Sequence, residues 1–209
     1  WIFDKPGFWQ AMDELPKNIK LVDVGCGGCF FSGELIKKCG IQDISLVDID
    51  DYRFFAQDKP FYKVDLSFEK LPFEDNSFDV VTSFQTIEHL ENPYNLLREV
   101  NRIVKPGGLF IISMPNGWNI YSRLKFLFRN KIEGFHKTCY KAGKLHNHIA
   151  FIPRDIFMMM LKNFTIEKSF YRKRKRPGFW IFAKFKVWHP VSVFFSDKLC
   201  YFLINSKEV

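Results

Sequence analysis

A chain of 209 residues, 47% hydrophobic and 18% aromatic, can bury the core of one α/β domain with an appendage, which excludes disorder over most of its length and two independent domains. The net charge of +8 is uneven: residues 1–120 carry 12 basic and 18 acidic groups and residues 121–209 carry 19 and 5, so the C-terminal part faces or adjoins something anionic. Five cysteines, odd in number and without framework spacing, exclude a disulfide scaffold and point to a reducing, cytoplasmic compartment, and the absence of any run of 18 apolar residues excludes a transmembrane helix.

The segment from Trp1 to Asn18 is aromatic and then helical in pattern, and is expected to pack over a ligand cleft or a sheet edge. Leu21, Val22 and Val24 predict a short strand, after which Gly25, Gly27 and Gly28 let the backbone turn sharply and approach a ligand. A helix over Phe30–Cys39 follows, with Phe31, Leu35 and Ile36 on one face, and Ser45–Asp48 predicts a second strand ending in a carboxylate. Asp48 stands 23 positions after Gly25, close to the spacing of about 20 at which an acidic residue meets a ribose in dinucleotide-type βαβ units.

Phe61–Val64 predicts a third strand followed by Asp65-Leu66, and Phe78–Phe84 a fourth with Gln85 at its carboxyl end. Asn92 offers an N-cap and Pro93 a first-turn residue for a helix with Leu96, Leu97, Val100, Ile103 and Val104 at helical spacing, and Lys105-Pro106-Gly107-Gly108 stops it. Leu109–Met114 reads as a fifth strand covered on both faces. Strands alternating with helices make a doubly wound, mostly parallel sheet, with ligands at the carboxyl ends of the strands.

Regularity weakens from Pro115 to Ile152, which reads as an insertion over the cleft. Within it Ile120–Phe128 predicts an amphipathic helix with Tyr121, Leu124, Leu127 and Phe128 inward and Arg123, Lys125 and Arg129 outward. Pro153 opens a helix over Arg154–Lys162, and Phe164–Tyr171 with Phe179–Val187 read as two strands joined by the basic turn RKRKRPG. The expected organisation is a single domain over 1–209: a core at about 19–116, a cleft-covering insertion at about 117–152, a helix and strand pair at about 153–187, and a basic and aromatic tail at about 188–209.

Four words in this order, LVDVGCGGC, LVDID, KVDLSFEKLPFEDNSFDVVTSFQTIEHLENP and LREVNRIVKPGGLFIISMPN, resemble the class I S-adenosylmethionine-dependent methyltransferases of small-molecule type, with their DVGCGxG signature, over Lys20 to Asn116. The resemblance implies a seven-stranded Rossmann-like sheet whose last strand is antiparallel, with the insertion after strand 5, and S-adenosylmethionine as cofactor with S-adenosylhomocysteine as product. It implies that Gly25, Cys26 and Gly27 bring the turn against the methionine part and that Asp23 fixes the loop and helps hold the amino group. Asp48 would take the ribose hydroxyls, Ile49 would pack on the base, and Asp65 and Leu66 would contact the adenine. Phe84 and Gln85 would lie beside the sulfonium and the acceptor. One departure stands out: the family usually has a glycine at the position of Cys29, so the helix start must tolerate a Cβ.

Other chemistries compete for some of these residues. Cys26-Gly27-Gly28-Cys29 is formally a CxxC at a helix N-terminus, where a thiolate would be stabilised for redox work. A zinc site joining that pair to His146 and His148 would need the insertion to fold onto the glycine loop, so no metal is assigned. Methyl transfer from a sulfonium depends chiefly on positioning, and a base helps only for a hydroxyl or protonated amine. His89, after the fourth strand, and His148, at the end of the insertion, are the candidate catalytic bases. The run Arg172–Arg176, flanked by aromatics and followed by Tyr201 and Phe202 in the tail, fits peripheral contact with an anionic membrane, or RNA.

The expected activity is methyl transfer to an oxygen or carbon of a small-molecule, glycan or lipid-linked acceptor. An RNA methyltransferase using the basic C-terminal region is the competing reading, and a catalytically silent cofactor-binding partner subunit a third.

Overall fold

Leu21, Val22 and Val24 are fully buried, as a strand covered on both faces requires, and in the computed structural model they form β1 (Leu21–Val24) inside a seven-stranded sheet. The structure describes residues 6–132, 140–141, 144–145, 148–173 and 196–207. β1 pairs in parallel with β2 (Ile44–Asp48) and β4 (Phe78–Phe84). β3 (Phe61–Lys63) lies outside β2, and β5 (Val104–Pro115) lies beyond β4, again in parallel. Outside the sheet, β6 (Tyr140–Lys141) and β7 (Lys144–Leu145) make a two-stranded hairpin. β8 (Phe164–Lys173) and β9 (Ser196–Asn205) complete the order β3-β2-β1-β4-β5-β9-β8, with β9 antiparallel to both neighbours. The mostly parallel sheet with an antiparallel last strand agrees with the expected fold class.

Helices cover both faces because β1 alternates its side chains between two cores. On one face Leu21 packs with Phe8 and Met12 of α1 (Pro6–Asp13) and with Phe31 and Leu35 of α2 (Phe30–Cys39). On the other, Val22 and Val24 pack with Leu96, Leu97, Val100 and Ile103 of α3 (Pro93–Ile103) and Phe157 of α5 (Arg154–Met160). The N-terminal segment therefore lies against the sheet face: the Phe8 ring meets Phe31, Phe84, Phe170 and Phe202 edge-on.

Three expectations are corrected. The glycine word Lys105–Gly108 ends α3 but lies within β5 as a bulge, since pairing jumps from Phe78↔Val104 to Val80↔Leu109 and Gly107 has a φ of 72°. The strand expected at Phe179–Val187 lies outside the described residues, and the tail expected from about 188 supplies β9, which pairs with β8. Leu199–Ile204 is an unbroken apolar run suited to a site between two strands. Tyr201 and Phe202, expected beside a membrane or RNA, are buried core.

The third correction concerns α4 (Ile120–Arg129), which forms where expected, with the Asn119 carboxamide oxygen accepting from the Tyr121 and Ser122 N–H groups. Its orientation differs. Ser122 is its buried residue, while Leu124, Leu127 and Phe128 are exposed, the last two by 72% and 77%. Helical periodicity defines a stripe but not what lies opposite it, and among the described residues nothing covers this stripe. No helix among them is long and apolar enough to cross a membrane.

Candidate functional site

The carboxyl ends of β1, β2 and β4 open into one cavity of about 910 Å³. Its floor is the turn after β1. Gly25 has a φ of 76°, and a Cβ there would collide with the side chain of Thr86, the residue before the 3₁₀ turn Ile87–His89. The Thr86 hydroxyl donates to the Gly25 carbonyl at 3.3 Å, which ties the turn after β1 to the turn after β4. Gly27 also has a positive φ, and a Cβ on it would project into open space on a cavity-lining residue. The turn is thus a cradle that side chains would fill.

Cys29, at the position where the resembled family carries glycine, adopts a left-handed conformation (φ 58°, ψ 27°) as the N-cap of α2. Its Cβ is accommodated because the side chain points into the core with Phe8 and Phe31 rather than into the cavity. The CxxC redox reading fails on the electrostatics: hydrogen bonding to Cys29, then burial, pushes the Cys26 thiol far up, the reverse of a stabilised thiolate. Cys26, Cys29, Cys39 and Cys200 are free thiols.

Three carboxylates are fixed in different ways. Asp23 is buried inside β1, where its oxygens accept from the Ser32 hydroxyl at 2.6 Å and the Thr82 hydroxyl at 2.8 Å. Burial pushes its pKa up to about 6, with the two hydroxyl donors opposing and Asp48 adding a little. Asp48, at the end of β2, accepts from the Gly27 N–H at 2.7 Å and the Ile49 N–H at 2.8 Å. Burial raises its pKa against these backbone donors. A carboxylate at a strand end that faces the cavity suits a vicinal diol. Asp65, just beyond β3, accepts from the Ser67 N–H at 2.9 Å.

All of the sequence-predicted cofactor residues, Asp23, Gly25, Cys26, Gly27, Asp48, Ile49, Asp65, Leu66, Phe84 and Gln85, line this cavity. The donor set and the glycine cradle fit an adenosyl ligand with a ribose diol and a cationic amine. Gln85 is held at the end of β4 in a left-handed conformation (φ 54°), its amide donating to the Ser113 hydroxyl at 3.3 Å. Phe30, Phe31, Leu90 and Ile149 give the cavity apolar walls, and outside the lining exposed Phe54 stands beside Gly28 and half-exposed Phe55 beside Gly33.

His89 lines the cavity, and His148 stands behind it with ring centroids 4.8 Å apart. His146 lies outside the described residues. Of the insertion, the described residue that reaches the cavity is Ile149, and α4 does not line it. The chain returns there because the Ile149 and Ala150 N–H groups donate to the Glu88 carbonyl at 2.8 and 3.0 Å.

Sequence reasoning missed Glu88, Thr86, Ser32 and Thr82. Glu88 is 1% exposed, and burial pushes its pKa up to about 8, while burial and His89 push His148 down to about 4. His148 Nε2 and Glu88 Oε1 lie 4.0 Å apart, and burial shifts both groups in the direction that disfavours an ion pair. An acidic residue directly before a histidine at a strand end was the available signal for Glu88. For the three hydroxyl residues no local signal exists.

Comparison with known proteins agrees with this geometry. Residues 22–112 match the model of a methyltransferase domain family. A sterol 24-C-methyltransferase of Gibberella zeae is 32% identical over 102 residues, covering 44% of this chain and 27% of that protein. A ubiquinone biosynthesis O-methyltransferase of Colwellia psychrerythraea is 29% identical over 109 residues, covering 47% and 43%. The chain spans less than half the length of these curated relatives. Among solved structures, an S-adenosylmethionine-dependent methyltransferase from Mesorhizobium loti superposes with a TM-score of 0.56 at 19% identity, covering 95% of this chain and 96% of that one.

Proposed function

We propose that the chain, whose residues 22–112 match a methyltransferase domain and whose fold is that of S-adenosylmethionine-dependent methyltransferases, is a class I enzyme that transfers a methyl group to an oxygen or carbon of a small-molecule, glycan or lipid-linked acceptor. The observation that carries this is the convergence of Asp23, the glycine cradle, Asp48, Asp65 and Gln85 on one cavity at the strand ends. Bound there, S-adenosylmethionine supplies an electrophilic methyl group. Asp48 would accept the ribose hydroxyls, Asp23 would face the cationic amine, and Asp65 with Leu66 would hold the adenine edge.

Catalysis then depends on aligning the acceptor with the methyl carbon and excluding water. Phe84 and Gln85 close the side nearest the reacting centre, and His89 with His148 handle the acceptor's proton. The apolar walls and the exposed Phe54 and Phe55 favour an acceptor with a substantial apolar portion, such as a lipid-linked one. Free thiols at Cys26, Cys29, Cys39 and Cys200 are compatible with a reducing, cytoplasmic setting at or near a membrane surface. The basic run that motivates the RNA alternative lies largely outside the described residues, and no feature of the cavity favours it.

Calorimetric titration with S-adenosylhomocysteine should give saturable one-site binding. Turnover of S-adenosylmethionine should be measured on hydroxylated lipids, glycans, phenols and RNA. Transfer to one of the first three classes is expected. Failure to bind S-adenosylhomocysteine would overturn the assignment, transfer to RNA alone would favour the nucleic-acid alternative, and binding without any turnover would favour a silent partner subunit.

A further inference from the structure

The 3₁₀ turn after β4 carries a carboxylate that its surroundings do not explain. Both Glu88 oxygens are buried, and neither accepts a hydrogen bond from another residue. A buried carboxyl group normally has donors around it, as Asp23 has. Here two imidazoles stand around it instead: one ligand atom each from Glu88, His89 and His148 lie within 4.8 Å of one another. His148 is brought there by the backbone, since the two residues after it donate their N–H groups to the Glu88 carbonyl. His89 is exposed on the cavity side of the cluster.

We propose that Glu88, His89 and His148 form a site for one divalent transition cation of the zinc type, at the acceptor end of the cavity. Two imidazole nitrogens and one carboxylate oxygen are the mixed donor set that zinc accepts, whereas magnesium and calcium prefer oxygen alone. A tetrahedral shell with bonds of about 2.1 Å sets its ligand atoms roughly 3.4 Å apart, so modest side-chain rotations, chiefly of exposed His89, would close the shell. Three protein ligands leave a fourth position, and His89 directs it towards the cavity.

The use of that position rests on the methyl-transfer reading. An acceptor hydroxyl bound there loses its O–H proton to solvent, because coordination to a dication lowers its pKa. Its oxygen then forms the new bond to the methyl carbon as the carbon–sulfur bond breaks, releasing the neutral thioether. The two histidines would thus serve the acceptor's proton as ligands rather than as free bases.

The test uses the full chain, loaded with zinc chloride, dialysed into metal-free buffer and analysed by mass spectrometry for metal per chain, with magnesium chloride in parallel. About one zinc and no magnesium should be retained. Glu88→Gln, His89→Ala and His148→Ala should each lower retention at least tenfold, and the Cys26→Ser/Cys29→Ser double variant should keep it. Wild-type protein holding no more zinc than His148→Ala, or zinc lost with the cysteines, would overturn the proposal. S-adenosylhomocysteine titration of the same samples reports folding and separates the two ideas. Zinc without nucleoside binding would sink the methyl-transfer reading alone, and nucleoside binding without zinc would sink the ion site alone.

Discussion

The end of β1 and the 3₁₀ turn after β4 each bring a buried carboxyl group to the same edge of the sheet, and the two are treated in opposite ways. Asp23 has two hydroxyl donors and a pKa near 6, so it can be ionised at pH 7 where a cationic ligand group would meet it. Glu88 has no donor from another residue among those described, and burial pushes its pKa up to about 8. The first region is completed by its own hydrogen bonds before any ligand enters. The second is left open to something added, and on the proposed reading this contrast would separate a cofactor-holding end of the cavity from an acceptor-handling end.

The strongest way to break this contrast is to disturb the rigid half. Gly25→Ala places a methyl group against Thr86 at a φ of 76°, so both strain and collision apply. Urea unfolding should show a loss of roughly 2–4 kcal/mol, with binding of S-adenosylhomocysteine abolished. A variant of unchanged stability would mean that the two turns are not locked together. Next in size is Asp48→Ala, which removes the acceptor of the Gly27 and Ile49 N–H groups and of the proposed ribose contact. Calorimetry should give an affinity roughly 10–100-fold weaker while unfolding remains cooperative. Unchanged affinity would remove Asp48 from the site.

A smaller effect should follow from pH. With a pKa near 6, Asp23 is almost wholly ionised at pH 7.5 and mostly protonated at pH 5, so affinity for S-adenosylhomocysteine should fall about tenfold between them. The sign for stability runs the other way. Because the folded-state pKa is raised above its ordinary value of 3.8, the folded protein binds more protons than the unfolded chain between pH 3.8 and 6. The contribution of Asp23 to stability is therefore greatest below that window and is lost as pH rises through 6. Asp23→Asn keeps the shape and should flatten both dependences. Persistence of the affinity profile in that variant would assign it to another group.

The legible parts of the molecule were the local ones. Glycines at a strand end and aspartates at the next two strand ends depend on residues a few positions apart, and each such word produced the expected turn or strand end. For Glu88 only its place before His89 was legible, whereas the return of Ile149 and Ala150 to its carbonyl some sixty positions later was not. That Leu199–Ile204 lies between β5 and β8 likewise depended on which run could be covered on both faces, a property of the assembled sheet. Cys29 shows the intermediate case: its left-handed backbone was implied by a glycine position, but the pocket that takes its side chain is made by Phe8 and Phe31.

The smallest effect expected is at α4, and it sharpens the contrast by marking where the acceptor-side region stops being core. A stripe of Leu124, Leu127 and Phe128 at helical spacing would ordinarily be the buried face, and truncating such a residue would cost about 2–5 kcal/mol. Leu127 is 72% exposed, so little apolar area leaves water when the protein folds. Leu127→Ser should therefore shift the urea midpoint by no more than the equivalent of about 0.5 kcal/mol. Leu97→Ser, on the buried face of α3, should cost several times more, being both a cavity and a buried hydroxyl. Equal losses in the two variants would mean that α4 is covered after all, and the acceptor end would then have a wall that the described residues do not supply.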